Sequence, residues 1–130
     1  MIAQDSFALV VNKQNSHTAS REDMISLIAR LYLKKGKMWP DSDVTCRPFD
    51  RMTNSPEHQY FMKSVLKMEE GRLSEHWAKM KQLRGDTPPR KIKSTRILLK
   101  LIEKNSGAFG IVKREDIATL PEKIKVLFLF

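Results

Sequence analysis

The sequence predicts an α/β domain, with a mixed, mostly parallel sheet flanked by helices. Three observations lead there. Short runs of β-branched and apolar residues recur at 6–13, 44–47, 108–112 and 124–130. Amphipathic helical stripes with clear start and stop signals fall between them. Helices between strands require crossover connections, and crossovers lay helices on the faces of a sheet. The 130 residues amount to a single domain, 1–130, large enough to hold a core without disulfide or metal.

Each element has its own signal. SFALVVNK, Ser6 to Lys13, is a continuous apolar run ending in the turn cluster Asn12 to Ser16, which reads as a buried strand. Ser20-Arg21-Glu22-Asp23 is an S-x-x-D helix start. Met24, Leu27, Ile28, Leu31 and Tyr32 then form one apolar stripe. Lys34-Lys35-Gly36 closes it with cations and a glycine cap. Met38-Trp39-Pro40-Asp41 is a turn with an anchoring aromatic, and Val44 to Arg47 a short strand closed by Pro48.

Ser55-Pro56-Glu57 supplies a hydroxyl cap, a proline at the first helical position and an acid in the first turn. Phe61, Met62, Val65, Leu66 and Met68 are the buried face of that helix. A break at Glu69-Glu70-Gly71 precedes a new helix start at Ser74. Two prolines make 84–90 a loop. Ser94 caps a last helix with Ile97, Leu98, Leu101 and Ile102 inward. Asn105-Ser106-Gly107 stops it, and strands 108–112 and 124–130 follow. The expected order is β-α-β-α-α-α-β-β.

Several function classes lack their residues. His17, His58 and His76 are isolated, so no metal or other cofactor is expected. There is no dinucleotide, phosphate-loop or nucleophile-elbow motif. Glu69 and Glu70 are adjacent on a helix and point apart, which disfavours a carboxylate dyad. Cys46 is the only cysteine and reads as a small buried hydrophobe. The chain is expected to be non-enzymatic. No apolar run approaches the roughly twenty residues of a membrane helix.

Twenty-four Lys and Arg against fifteen Asp and Glu give a net charge of +9, which suits an anionic partner. Much of it lies between Lys79 and Lys100, including Arg84, Arg90, Lys91, Lys93 and Arg96, opposed only by Asp86. This segment is either a solvated face or a basic surface for an acidic macromolecule. It lacks interleaved aromatics and any recognition motif, which argues against nucleic acid.

One local pattern could hold a small anion. Helix N-termini expose unpaired N–H groups, Ser55 adds a hydroxyl, and Arg51 four residues earlier could fork onto an oxyanion. Alternatively, Ser55 caps its own helix and Arg51 is solvated. Glu57 places a negative charge on the same helix end.

In order along the chain, several segments resemble the periplasmic phosphate-binding proteins of ABC transporters, the type II solute-binding fold, and especially their short single-lobe relatives. The segments are SFALVVNKQN; Leu31 to Pro40 with its glycine and tryptophan; Arg51, Ser55 and Phe61; His76-Trp77 with Thr87-Pro88-Pro89-Arg90; and Gly107 to Val112, which is similar to a Gly-Ala-Ile-Gly-Tyr-Val strand. The resemblance implies a single solute-binding-protein-like lobe, export to the periplasm with the leader removed ahead of Met1, and an oxyanion site drawn from Arg51, Asn54, Ser55, Glu57 and Asn12. Phosphate or another small oxyanion and a membrane or periplasmic protein are the implied partners. The chain departs from the family's Ser-Gly-Thr phosphate loop, where it has Ser55-Pro56-Glu57, and it has one lobe where full-length relatives have two. Both departures weaken or abolish the implied anion site.

Overall fold

A computed structural model describes residues 5–130. Met1 to Gln4, and the expected removal of a leader ahead of them, lie outside the described residues. The chain runs β1 (Phe7–Asn12), α1 (Arg21–Tyr32), β2 (Arg47–Asp50), α2 (Pro56–Phe61), a π-helical turn (Met62–Leu66), α3 (Glu70–Arg84), β3 (Arg90–Lys91), α4 (Thr95–Lys104), β4 (Ala108–Lys113), a 3-10 turn (Arg114–Thr119) and β5 (Ile124–Leu129).

The strands form one sheet in the order β3-β2-β4-β1-β5. It is mixed, as expected. β2 runs parallel to β3 and β4, whereas β1 is antiparallel to β4 and β5, so parallel pairing makes up two of its four ladders. Both faces are covered. Phe7, Leu9 and Val11 of β1 pack with Phe109, Ile111 and the apolar stripes of α1 to α3. Ala8 and Val10 point the other way, toward Leu98 and Ile102 of α4. This two-sided burial explains why β1 is apolar throughout rather than alternating.

Local signals held where they were strongest. Ser20, Ser55 and Ser94 each cap a helix through the side-chain oxygen. The predicted stripe of α1 is buried in full. Trp39 is buried and its indole N–H donates to the Gly107 carbonyl at 2.9 Å. Cys46 is buried, and burial pushes its thiol up to about 12.

Four expectations are corrected. The second strand is Arg47–Asp50, so Pro48 lies inside it rather than ending it. Arg47 N–H points to Gly107 of the β4 side, and the Asp50 carbonyl accepts from Ile92 on the β3 side. Successive residues alternate sides, so the missing N–H of Pro48 faces the β3 edge ahead of the point where β3 begins. The third helix starts at Glu70, not Ser74, with Leu73 N–H bonded to the Glu69 carbonyl and Leu73 buried. Ile97 is 52% exposed rather than inward. Finally, β3 and the 3-10 turn were not foreseen. β3 is a two-residue edge strand directly after Pro89, too short to leave a pattern.

Two glycines are fixed by close approach. A Cβ on Gly107 would sit 2.0 Å from the Thr45 carbonyl oxygen, and one on Gly110 would sit 2.8 Å from Leu98 Cδ1. Gly71, in the first turn of α3, has open space around it. Urea denaturation should therefore show Gly107→Ala destabilised by about 3 kcal/mol, the upper end of overpacking costs. Gly71→Ala should be neutral or stabilising by up to about 1 kcal/mol, because it only removes backbone freedom from a helix. Equal midpoints for the two variants would contradict the packing described.

Candidate functional site

The Arg51 and Ser55 rim lies where β2 and β4 end. Arg51 directly follows β2, and β2 runs parallel to β4. The loop to Ser55 then turns the chain into α2. Ser55 N–H bonds to the Met52 carbonyl, and the Ser55 hydroxyl donates to that same carbonyl at 2.7 Å. Its oxygen accepts from His58 N–H at 3.2 Å. The one hydroxyl proton is thus committed within the turn.

Arg51 is not solvated. The residue is 3% exposed. Its Nε donates to the Ile92 carbonyl at 3.0 Å and Nη1 to the Ile111 carbonyl at 2.9 Å. Nη2 donates to the Lys93 carbonyl at 3.0 Å and to Thr95 Oγ1 at 2.9 Å. Glu57 Oε2 lies 3.5 Å from Nη2 and balances the charge. A guanidinium has five N–H donors, and four have partners inside the chain. Arg51 therefore ties the segment after β3, the start of α4 and the middle of β4 to the end of β2.

The other candidate ligand residues separate. Asn54 is exposed. Glu57 is buried against Arg51 rather than turned toward solvent. Asn12 ends β1, which is antiparallel to β4, so it lies at the opposite end of the sheet from Arg51. Its Nδ2 donates to the carbonyls of Ile102 and Glu103 and its Oδ1 accepts from Gln14 N–H. Asn12 caps the C-terminus of α4, and the structure does not bring it to the rim.

The basic residues divide as well. Lys91 Nζ donates to Asp50 Oδ2 at 3.1 Å, and Arg84 pairs with Asp86 at 3.5 Å. Arg90, Lys93 and Arg96 are exposed on and just beyond the edge strand β3, with no carboxylate partner among the described residues.

Beside the rim lies a buried charged cluster that the sequence reasoning missed. His58 is fully buried; its Nδ1 bonds Asp50 Oδ1 at 2.8 Å and its Nε2 bonds Glu70 Oε1. Carboxylates only accept, so both ring nitrogens must carry protons and His58 is an imidazolium. Asp50 also accepts from the Tyr32 hydroxyl, the Lys91 ammonium and the Arg51 backbone N–H. Burial alone would raise the Asp50 carboxyl, but the bond and charge of His58, then Tyr32 and Lys91, hold it below its ordinary value. Burial likewise opposes the charged His58, yet Asp50 and Glu70 outweigh it and raise it. With both ring nitrogens protonated, no lone pair is left for a metal, and the described residues contain no ligand set. One signal was available. Glu57 and His58 precede Phe61 by four and three residues, which puts two polar side chains on an apolar helical face.

No family model and no curated protein matches the chain. Solved structures do. The chain is similar over 94% of its length to a possible phosphate-binding protein from Planctomyces limnophilus, with TM-score 0.64 and 15% identity. It is similar over 96% to an ABC-type phosphate transport receptor from Vibrio cholerae, with TM-score 0.62 and 17% identity. A candidate phosphate ABC transporter substrate-binding protein from Clostridium perfringens, solved with phosphate bound, gives TM-score 0.65 and 13% identity over 96%. The chain spans 40%, 47% and 46% of those three chains, under half in each case. It has the fold of a single lobe of such proteins.

The cluster sets a pH dependence. His58 is raised from 6.5, so its stabilisation is whole below that value and is lost as pH rises through the raised one. Asp50 is lowered from 3.8, so its contribution is whole above that value and is lost as pH falls through the lowered one. Unfolding free energy measured in urea should hold both contributions between 3.8 and 6.5 and decline on the alkaline side. His58→Gln should lose about 3–5 kcal/mol near pH 6, the cost of breaking a buried pair, and should flatten that alkaline decline. An unchanged alkaline slope in the variant would contradict the charged His58.

Proposed function

We propose that this chain is a non-enzymatic, single-lobe solute-binding-like protein of the periplasm whose oxyanion site is vestigial. Phosphate or a related oxyanion binds at its rim weakly or not at all. One observation carries this reading. Arg51, the residue that would grip an oxyanion, spends four of its donors on the chain's own oxygens and sits against Glu57. The remaining groups at the rim add little. The Ser55 proton is committed to Met52, Pro56 has no N–H, and α2 is only six residues long. An incoming anion would have to displace Glu57 and overcome its repulsion.

A second reading rests on the exposed cations Arg90, Lys93 and Arg96 at the β3 edge. They form a basic surface suited to an acidic periplasmic or membrane protein. Such a contact is screened over about 8 Å at physiological ionic strength.

Backbone amide shifts during a phosphate titration test the first reading. The amides of Asn54, Ser55, Glu57 and His58 should not respond saturably at micromolar phosphate in the natural chain. Glu57→Gln should give a measurable, weak response by removing the competing carboxylate. A tight, saturable response in the natural chain would overturn the vestigial site. For the second reading, capture of an acidic partner should fail at high salt and in the Arg90, Lys93 and Arg96 triple alanine variant. Capture indifferent to both would remove the basic edge from the account.

A further inference from the structure

At the other end of the sheet, remote from the rim, the loops after β1 and after α1 enclose a cleft of about 390 Å³. That is within the roughly 300–1,000 Å³ typical of small-molecule sites. Its walls come from Gln14 to Thr18, Trp39 to Ser42, Val44 and Ser106. On a chain carrying +9, no lysine or arginine lines it, and Asp41 is its one carboxylate. The lining therefore offers an anion no cationic partner, and Asp41 disfavours one. The rest of the polar lining consists of neutral amides and hydroxyls, with His17 beside them.

Two features give the cleft directionality. Asn15 is 8% exposed, and its Oδ1 accepts from His17 N–H at 2.9 Å. Its Nδ2 has no hydrogen-bond partner among the described residues, so two N–H donors are left at a nearly buried position in the wall. Trp39 spends its indole N–H on the Gly107 carbonyl and is 4% exposed, so it gives the cleft a narrow apolar border rather than an open ring face. The His17 ring sits 6.4 Å from it, tilted by 45°. A carboxylate acceptor, a free amide donor and a narrow apolar border together match a small ring that carries several hydroxyls. Each hydroxyl of such a ring can donate to Asp41 and accept from Asn15. An apolar ligand would leave the nearly buried Asn15 amide without a partner.

We propose that this cleft binds a neutral polyhydroxylated solute of monosaccharide size, held by Asp41 and Asn15, with Trp39 as a narrow apolar border. This site is separate from the rim and does not depend on the reading given for it. The test is a titration of the full chain with D-glucose, D-galactose and D-mannose in turn, followed by backbone amide and indole N–H shifts, with phosphate as the anionic control. At least one hexose should give saturable shifts confined to 14–18 and 39–44, and phosphate should give none there. Asp41→Ala, at an exposed position, and Asn15→Ala should each weaken the response about tenfold or more. If Asn15→Ala fails to fold, Asp41→Ala decides alone. No saturable shift with any of the three hexoses, an equal response to phosphate, or a response unchanged in Asp41→Ala would overturn the proposal.

Discussion

The Arg51 fork is the constraint on which this lobe depends. A buried guanidinium is tolerated only when its donors are met and its charge is balanced. Here the carbonyls of Ile92, Lys93 and Ile111 meet them, the Thr95 hydroxyl adds another, and Glu57 balances the charge. These partners lie between 41 and 60 residues away in sequence, or on the next helix. One side chain thus fixes the edge strand β3, the start of α4 and the end of β2 against β4. β3 has only two residues and a short ladder of its own, so this fork compensates for what its pairing lacks.

The neighbouring cluster works by the same logic. Asp50 and Glu70 face His58 and Lys91, two carboxylates against two cations, with the Tyr32 hydroxyl filling a remaining acceptor site. His58 links the end of β2 to Glu70 in the first turn of α3. Both networks consume at the rim the groups that could otherwise have served a ligand. The lobe shares its fold with the phosphate-binding proteins it is similar to, and at this rim Arg51 and His58 bond to the chain's own oxygens. The polar cleft at the opposite end shows the reverse pattern, with donors and a carboxylate left open.

What could be read from the sequence follows the range of the forces involved. Helix caps at Ser20, Ser55 and Ser94, the α1 stripe and the apolar β1 run depend on residues within a turn or two, and they were legible. The fold class followed from their order. The placement of Pro48 was not legible, because it depends on which side of β2 lacks a neighbour. The burial of Arg51 was not legible either, since its acceptors are backbone carbonyls that carry no sequence signature. Among the site candidates, Arg51, Asn54, Ser55 and Glu57 share one stretch of chain around the rim, but Asn12 was misplaced because strand direction is a tertiary property. His58 and Glu57 did leave a trace, as polar residues on the inward face of α2.

The central claim is that the Arg51 side chain is a structural tie and not an anion ligand. The most direct measurement is the exchange rate and chemical shift of the Arg51 Nε–H signal, with and without phosphate. A tie to the Ile92 carbonyl predicts a slowly exchanging proton whose signal does not move when phosphate is added. A rapidly exchanging proton that shifts and becomes protected on adding phosphate would contradict the account.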